Sequence, residues 1–211
     1  MASRITWGVL VVLYVTFFGW YTSCGGPLTE EEVESYMALI EERSVPTDPE
    51  GPARMRAFLE SDTGDDFVMV NIIDLHETPV QIEGVAPGDT AQETSAKYMA
   101  YMFPALLARA CHPVFAGSAV SEALEMFGVE GMREWHQAVG MRYRSRRDML
   151  EIVTNPAFQG SHEFKVAAID KTVAFPVDPW YSLGDPRILL FLVFLVIGLT
   201  ASWRSERAKN S

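Results

Sequence analysis

Two cysteines and four histidines are all the thiol and imidazole groups that this chain of 211 residues contains. Cys24 and Cys111 are far apart in sequence and form no disulfide framework, so they read as two isolated thiols, although an oxidising compartment would permit a bridge. No Cys/His spacing matches a structural zinc site, and no metal is expected. A haem ligand would have to come from His112, His136 or His162, and no spacing around them favours one, so no cofactor is expected. Positive charge is scarce as well: 17 Lys and Arg stand against 28 Asp and Glu, a net −11. Such a surface repels phosphate backbones, which argues against nucleic acid as a partner.

The chain does have two long apolar runs, residues 5–21 and 188–203, neither of which contains a charge. At about 1.5 Å per residue, each helix would cover most of a hydrocarbon core about 30 Å thick. Trp7, Trp20 and Tyr21 on the first run, and Trp180, Tyr181 and Trp203 around the second, stand where headgroups would lie. The second run is slightly short, and Arg187 can snorkel to extend it. Arg4 precedes the first run and Arg204, Arg207 and Lys209 follow the second, whereas Glu30, Glu31, Glu32 and Glu34 follow the first. The positive-inside rule then places both termini in the cytoplasm and the middle outside, which in a Gram-negative cell means the periplasm beyond the inner membrane. A cleaved leader is an alternative for the first run. Residues 22–25 have the small residues and Cys of a lipoprotein cleavage site, with Tyr21 where Leu is usual. The two ends carry five basic residues against Glu206, a surplus of four, which leaves the region between them at −15.

That central region is long enough for one core. The expected organisation is a transmembrane helix over 1–24, a helical extension and linker over 25–64, a domain over 65–178, a linker over 179–185, a second transmembrane helix over 186–204 and a tail over 205–211. Thr29 and Glu32 form a capping box for a helix carrying Val33, Tyr36, Met37 and Ile40. Residues 45–52 are a linker by composition, and Met55, Phe58 and Leu59 mark a short helix. Residues 67–75 are a strand, closed by polar residues. A helix begins at Asp89 and Thr90 and runs towards Cys111, with Pro104 kinking or interrupting it. Residues 113–117 and 124–127 are short strand candidates, and 135–143 is a strong one. Ser145 and Asp148 cap the next helix, Asn155 and Pro156 break it, and a further helix carries Phe158, His162, Phe164, Lys165, Ala168 and Ile169. Residues 172–176 close the series as a strand. The order is β-α-β-β-α-β, which predicts an α+β, ferredoxin-like sandwich flanked by two transmembrane helices. Helices cover one sheet face, and the bare face predicts a homodimer.

From residue 67 to residue 177 the chain resembles the DUF1330-type members of the dimeric α/β-barrel superfamily. The resemblance is carried by Val70, Asn71, Ile72 and Ile73, by Tyr98 and Tyr101, and by residues 135–143. Ser145 and Arg146, then Asn155, Pro156, Ala157, Phe158 and Gln159, complete it. Arg144 departs from the Tyr-Pro-Ser usual at 143–145. The resemblance implies a homodimer with a pocket between sheet and helices, and no particular reaction.

Polar residues set in apolar strands are the candidates for chemistry. Asn71 interrupts a Val/Ile run, and a buried amide left unpaired costs about 1–3 kcal/mol, so it either pins a neighbouring segment or contacts a ligand. Asp74 and His76 share one face at the end of that strand, where acid–base work is conceivable. His136, Ala138, Gly140 and Arg142 share one face of the third strand. Trp135, Gln137, Val139, Met141 and Tyr143 share the other, as a pocket wall or as packing under helices. Asp74, His76, His136 and Tyr143 are the catalytic candidates; Asn71, Tyr98, Trp135, Arg142 and Arg146 are the ligand-binding ones. Arg142, Arg144, Arg146 and Arg147 crowd a helix N-terminus that would suit an anion, or they pair with the surplus of acids. These features predict a membrane-anchored dimeric binding or assembly module. The alternatives are a small-molecule enzyme, such as a cofactor-free oxygenase or isomerase, and an accessory subunit of a larger membrane complex.

Overall fold

A computed structural model of the chain describes residues 2–43, 48–180 and 182–209. They form α1 (Ala2–Tyr21), α2 (Glu30–Arg43), α3 (Gly51–Glu60), β1 (Phe67–Leu75), α4 (Ala91–Ala108), β2 (His112–Ser118), β3 (Gln137–Tyr143), α5 (Arg146–Val153), α6 (Pro156–Ala168), β4 (Ile169–Val177) and α7 (Pro186–Arg207). Tyr181 and the 45–47 part of the expected linker lie outside the described residues. The helix starts follow from local chemistry. Thr29 and Glu32 exchange hydrogen bonds of 2.8 and 3.2 Å ahead of α2. Thr90 and Glu93 form the same box on α4, and Ser145 Oγ accepts from the Asp148 amide on α5.

The chain divides into two compact units. One holds the two ends, Met1–Cys24 and Pro179–Ser211, and contains two helices long and apolar enough to cross a membrane. These helices run antiparallel: Ser3 Oγ is 2.9 Å from Ser202 Oγ, and the Tyr14 hydroxyl donates to the Arg187 carbonyl at 3.3 Å. They meet closely because Gly198 has no side chain; a Cβ there would lie 2.5 Å from the Trp7 ring.

The second unit, Gly25–Asp178, is built on a four-stranded antiparallel sheet in the order β2-β3-β1-β4. Central β1 pairs Asn71 with Val139 on one side and Ala174 on the other. Pro113 and Pro176 lie in the two outer strands. Odd-numbered residues of β1 and β3 face helices α4, α5 and α6. The core there gathers Phe67, Met141 and Tyr143 from the strands with Leu106, Leu150 and Ile152 from the helices. Val33, Met37 and Leu59 belong to the same core, so α2 and α3 are part of this body. Fully burying a side chain such as Leu59 contributes about 1.5–3 kcal/mol. The opposite face carries Val70, Ile72, Ala138, Val173 and Phe175; Phe115 lies on Gly140, in the space that a Cβ would take. Phe115 and Phe175 remain 47% and 42% exposed.

Three departures from the expected strands exceed a single residue. β3 starts at Gln137, two residues late, because Trp135 ties its indole back to the Met132 carbonyl at 2.8 Å within the preceding loop. Residues 124–127 are loop, with Leu124 and Phe127 fully exposed. β4 begins at Ile169, directly after α6.

Candidate functional site

Between the sheet and the helical layer lies a cleft of about 1110 Å³. Its floor is Met69, Asn71 and Ile73 of β1 with Gln137, Val139, Met141 and Tyr143 of β3, the residues that the strand period turns to one side. Its walls come from α4 (Tyr98, Met99, Met102) and α6 (Phe158, His162, Lys165), and α2 adds Leu39 and Ile40 at one end. Asn71 donates its amide to the Met69 and Val139 carbonyls at 3.0 and 3.5 Å, which fixes the side chain within the floor.

The cleft is chemically mild. Burial pushes the Tyr98 phenol up to about 12. Burial, with Tyr98 and Cys111 nearby, raises Tyr143 further. Both therefore remain neutral hydroxyls at physiological pH and can donate a hydrogen bond but not act as a ready base. Tyr143 stacks on Phe67 at 5.4 Å, and Tyr98 meets Phe158 and His162 edge-on at 6.1 and 6.4 Å. Burial and the Lys165 charge lower the pKa of His162, which favours the neutral imidazole. Burial likewise pushes the Cys111 thiol up to about 11, leaving it a packing residue with little thiolate.

A second cluster lies at the end of the opposite face. Asp74, 8% exposed, has Oδ1 2.5 Å from His136 Nδ1 and Oδ2 3.4 Å from Lys171 Nζ. The Leu75 amide also lies 3.1 Å from His136 Nδ1, and a ring nitrogen cannot donate and accept there at once. The nearer, charged carboxylate places the proton on Nδ1, so Nε2 is the free acceptor. Burial pushes the Asp74 carboxyl up, but hydrogen bonds from His136 and Lys171 outweigh it, and its pKa falls below 3.8. Lys171 stands over the Trp135 ring at 5.1 Å, and Trp135 borders a hollow of about 420 Å³ with Ile72, Phe115 and Ala138.

The candidates therefore do not converge on one place. Asn71, Tyr98 and Tyr143 line the cleft. Asp74, His136 and Trp135 sit on the other side of the sheet, so Trp135 does not share a wall with Tyr143. The cause is the loop ahead of Gln137, which breaks the alternation. Asp74 pairs with His136 across strands, while His76, beyond the end of β1, has Nδ1 3.3 Å from Asp170. Arg142 and Arg146 lie elsewhere and are engaged within the protein. Arg142 Nε donates to Asp66 at 2.7 Å and its guanidinium to the Ala110 carbonyl at 2.9 Å. Arg146 lies 3.4 Å from Asp62, stacks on Phe58 and donates to the Phe58 carbonyl. Arg144 and Arg147 are likewise matched with Asp148 and Glu32. Lys165 was not among the candidates; the signal available was its spacing, three residues after His162 and seven after Phe158 on one helical stripe.

Among the described residues, the second unit is thus a mixed α+β domain with a four-stranded antiparallel sheet and a cleft under its helical layer. No protein-family model matches the chain, and no curated protein matches it. Among solved structures the chain is similar to the RPA0582 protein of unknown function from Rhodopseudomonas palustris, at 19% identity and a TM-score of 0.50, over 65% of this chain and 98% of that one. It is also similar to the methylated RPA0582 protein, at 19% identity and a TM-score of 0.52, over 67% and 98%. The likeness establishes a shared sheet fold.

Proposed function

We propose that this chain is a membrane-anchored binding module whose ferredoxin-like domain takes up an apolar small molecule between its sheet and its helices. The cleft carries the reading. It is large, mostly apolar and edged by a few polar groups, the general character of small-molecule sites. The ferredoxin-like assignment, and with it the DUF1330-type resemblance, is supported by the order β1-α4-β2-β3-α5-α6-β4 and the strand order β2-β3-β1-β4. The two apolar helices anchor the domain. Their antiparallel pairing puts both termini on one side, and the basic residues at those ends favour the cytoplasmic side of an inner membrane. The face bearing Ile72 and Phe175 buries against a second copy of the chain, because its apolar residues otherwise remain exposed.

The test is calorimetric titration of the full chain in phosphatidylcholine nanodiscs with octanol and octanoate, with empty discs as background. Saturable binding of either compound, removed by filling the cleft through Met99→Trp, is the expected result; no saturable binding of either would refute the site. Light scattering should give a dimer that Ile72→Asp converts to a monomer.

The Asp74–His136 pair favours a second reading, a small-molecule enzyme in which His136 Nε2 accepts a proton from a substrate held against the bare face. Under this reading His136→Gln abolishes turnover while Met99→Trp spares it.

A further inference from the structure

We propose that the cleft receives an apolar molecule ending in a single carboxylate, and that Lys165 is the counter-ion of that carboxylate. The inference rests on the reading of the cleft as a ligand site, and it assigns the class of ligand. Helix α6 turns Phe158, His162 and Lys165, at i, i+4 and i+7, towards Tyr98 of α4. Lys165 is half-buried, and its Nζ stands 5.9 Å from the centre of the Tyr98 ring.

What singles this lysine out is the lack of an acid. The domain is strongly acidic, and other cations among its described residues are engaged: Lys97 with Asp89 at 2.5 Å, Lys171 with Asp74 at 3.4 Å, and Arg142, Arg144, Arg146 and Arg147 each with a carboxylate. Lys165 is the one Lys or Arg among the described residues lining the cleft. Glu42 and Glu163 also line it but are exposed, and neither forms an ion pair with Lys165. The Tyr98 ring face and the carbonyls at the end of α6 offer only partial negative charge. Burial accordingly holds the Lys165 pKa below its ordinary value, and a bound carboxylate would reverse that penalty.

The rest of the cleft defines the remainder of the ligand. Met99, Met102 and Val139 present apolar and adaptable surface to a hydrocarbon or aromatic body. A doubly charged phosphate is a poorer match, because a lone ammonium supplies one charge and no planar fork of donors.

The experiment compares octanoate with octanol, which share a chain and differ in the head group, on the full chain in phosphatidylcholine nanodiscs with empty discs subtracted. The expected result is at least tenfold tighter binding of octanoate, with the preference lost in Lys165→Met and kept in Lys165→Arg. In parallel, octanoate should slow acetylation of Lys165 several-fold on the unaltered chain, read by peptide mass spectrometry, while leaving Lys171 unaffected. Equal binding of the two compounds by the unaltered chain, or a preference that survives Lys165→Met, overturns the role of Lys165 and leaves the cleft as an apolar site. Binding of neither compound removes both readings. The comparison of the two compounds needs no variant, so it stands even if Lys165→Met fails to fold.

Discussion

Nδ1 of His136 lies 2.5 Å from Oδ1 of Asp74, joining the residue just before β3 to the end of β1. With Lys171 on the other carboxylate oxygen, the pair holds Asp74 ionised below its ordinary 3.8. A carboxyl whose pKa is depressed on folding stabilises the protein above the unfolded value and loses that contribution as pH falls through the folded one. Asp74→Asn should therefore cost about 1–2 kcal/mol at pH 7 and flatten the loss of stability below about pH 4. Urea unfolding at a series of pH values measures both; an unchanged acid limb would contradict the assignment.

Glu32 caps α2 and also receives Arg147 at 2.8 and 3.0 Å. The hydrogen bond from Arg147, followed by that from the Thr29 amide, lowers its pKa from 4.5 to about 2. The tie is complete above pH 4.5 and is lost as pH falls towards 2. Protection of the α2 amides against exchange, corrected for the intrinsic pH dependence, should fall in that window ahead of protection in β1. Glu32→Gln should bring the lower protection to neutral pH, at a cost of about 0.5–1 kcal/mol because the pair is partly solvated.

Gly64 adopts φ +83°, and a Cβ there would lie 2.5 Å from the Gly26 carbonyl carbon and 2.8 Å from Pro27 N. Both obstacles are backbone, which cannot rotate away. Gly64→Ala should destabilise the second unit by about 2–3 kcal/mol. Gly160 has open space around it, so Gly160→Ala in α6 should be neutral or slightly stabilising. Thermal melts of the two variants give the contrast directly.

In the pair of end helices, Ser3 and Ser202 face each other at 2.9 Å. Cysteines at these two positions, with Cys24 replaced by Ser, should oxidise to a bridge within one chain, read as a mobility shift in membranes. Gly198→Leu puts bulk against Trp7 and should cut the yield several-fold. A full yield in that variant would mean that the close approach does not hold the helices together.

Much of the fold was legible because its signals are local. Thr29 with Glu32, Ser145 with Asp148, and Asn155 before Pro156 mark helix ends by chemistry confined to three or four residues. Residues 67–75 form a strand with the expected bounds, since a nearly continuous apolar run, broken only by Asn71 and Asp74, suits a central strand. The candidate site was less legible because it depends on register. Asp74 and His76 are close in sequence, yet the register that sets Ile73 against Gln137 is what delivers His136 to Asp74. Trp135 was placed by extending a two-residue period into a loop, which has no period. Lys165 is visible in the sequence only as a member of the last helix before β4, because the helices opposite its stripe are known only from the fold.

The prolines of the outer strands have a consequence for the form of any assembly. A sheet grows sideways when a new strand finds an unbroken row of amide hydrogens at the edge, and Pro113 in β2 and Pro176 in β4 each interrupt that row. Open-ended stacking of strands into a fibre is thus obstructed at both margins. Two copies that met through this sheet would have to meet by its face and not by its edge, so concentrated protein should form discrete complexes and not filaments.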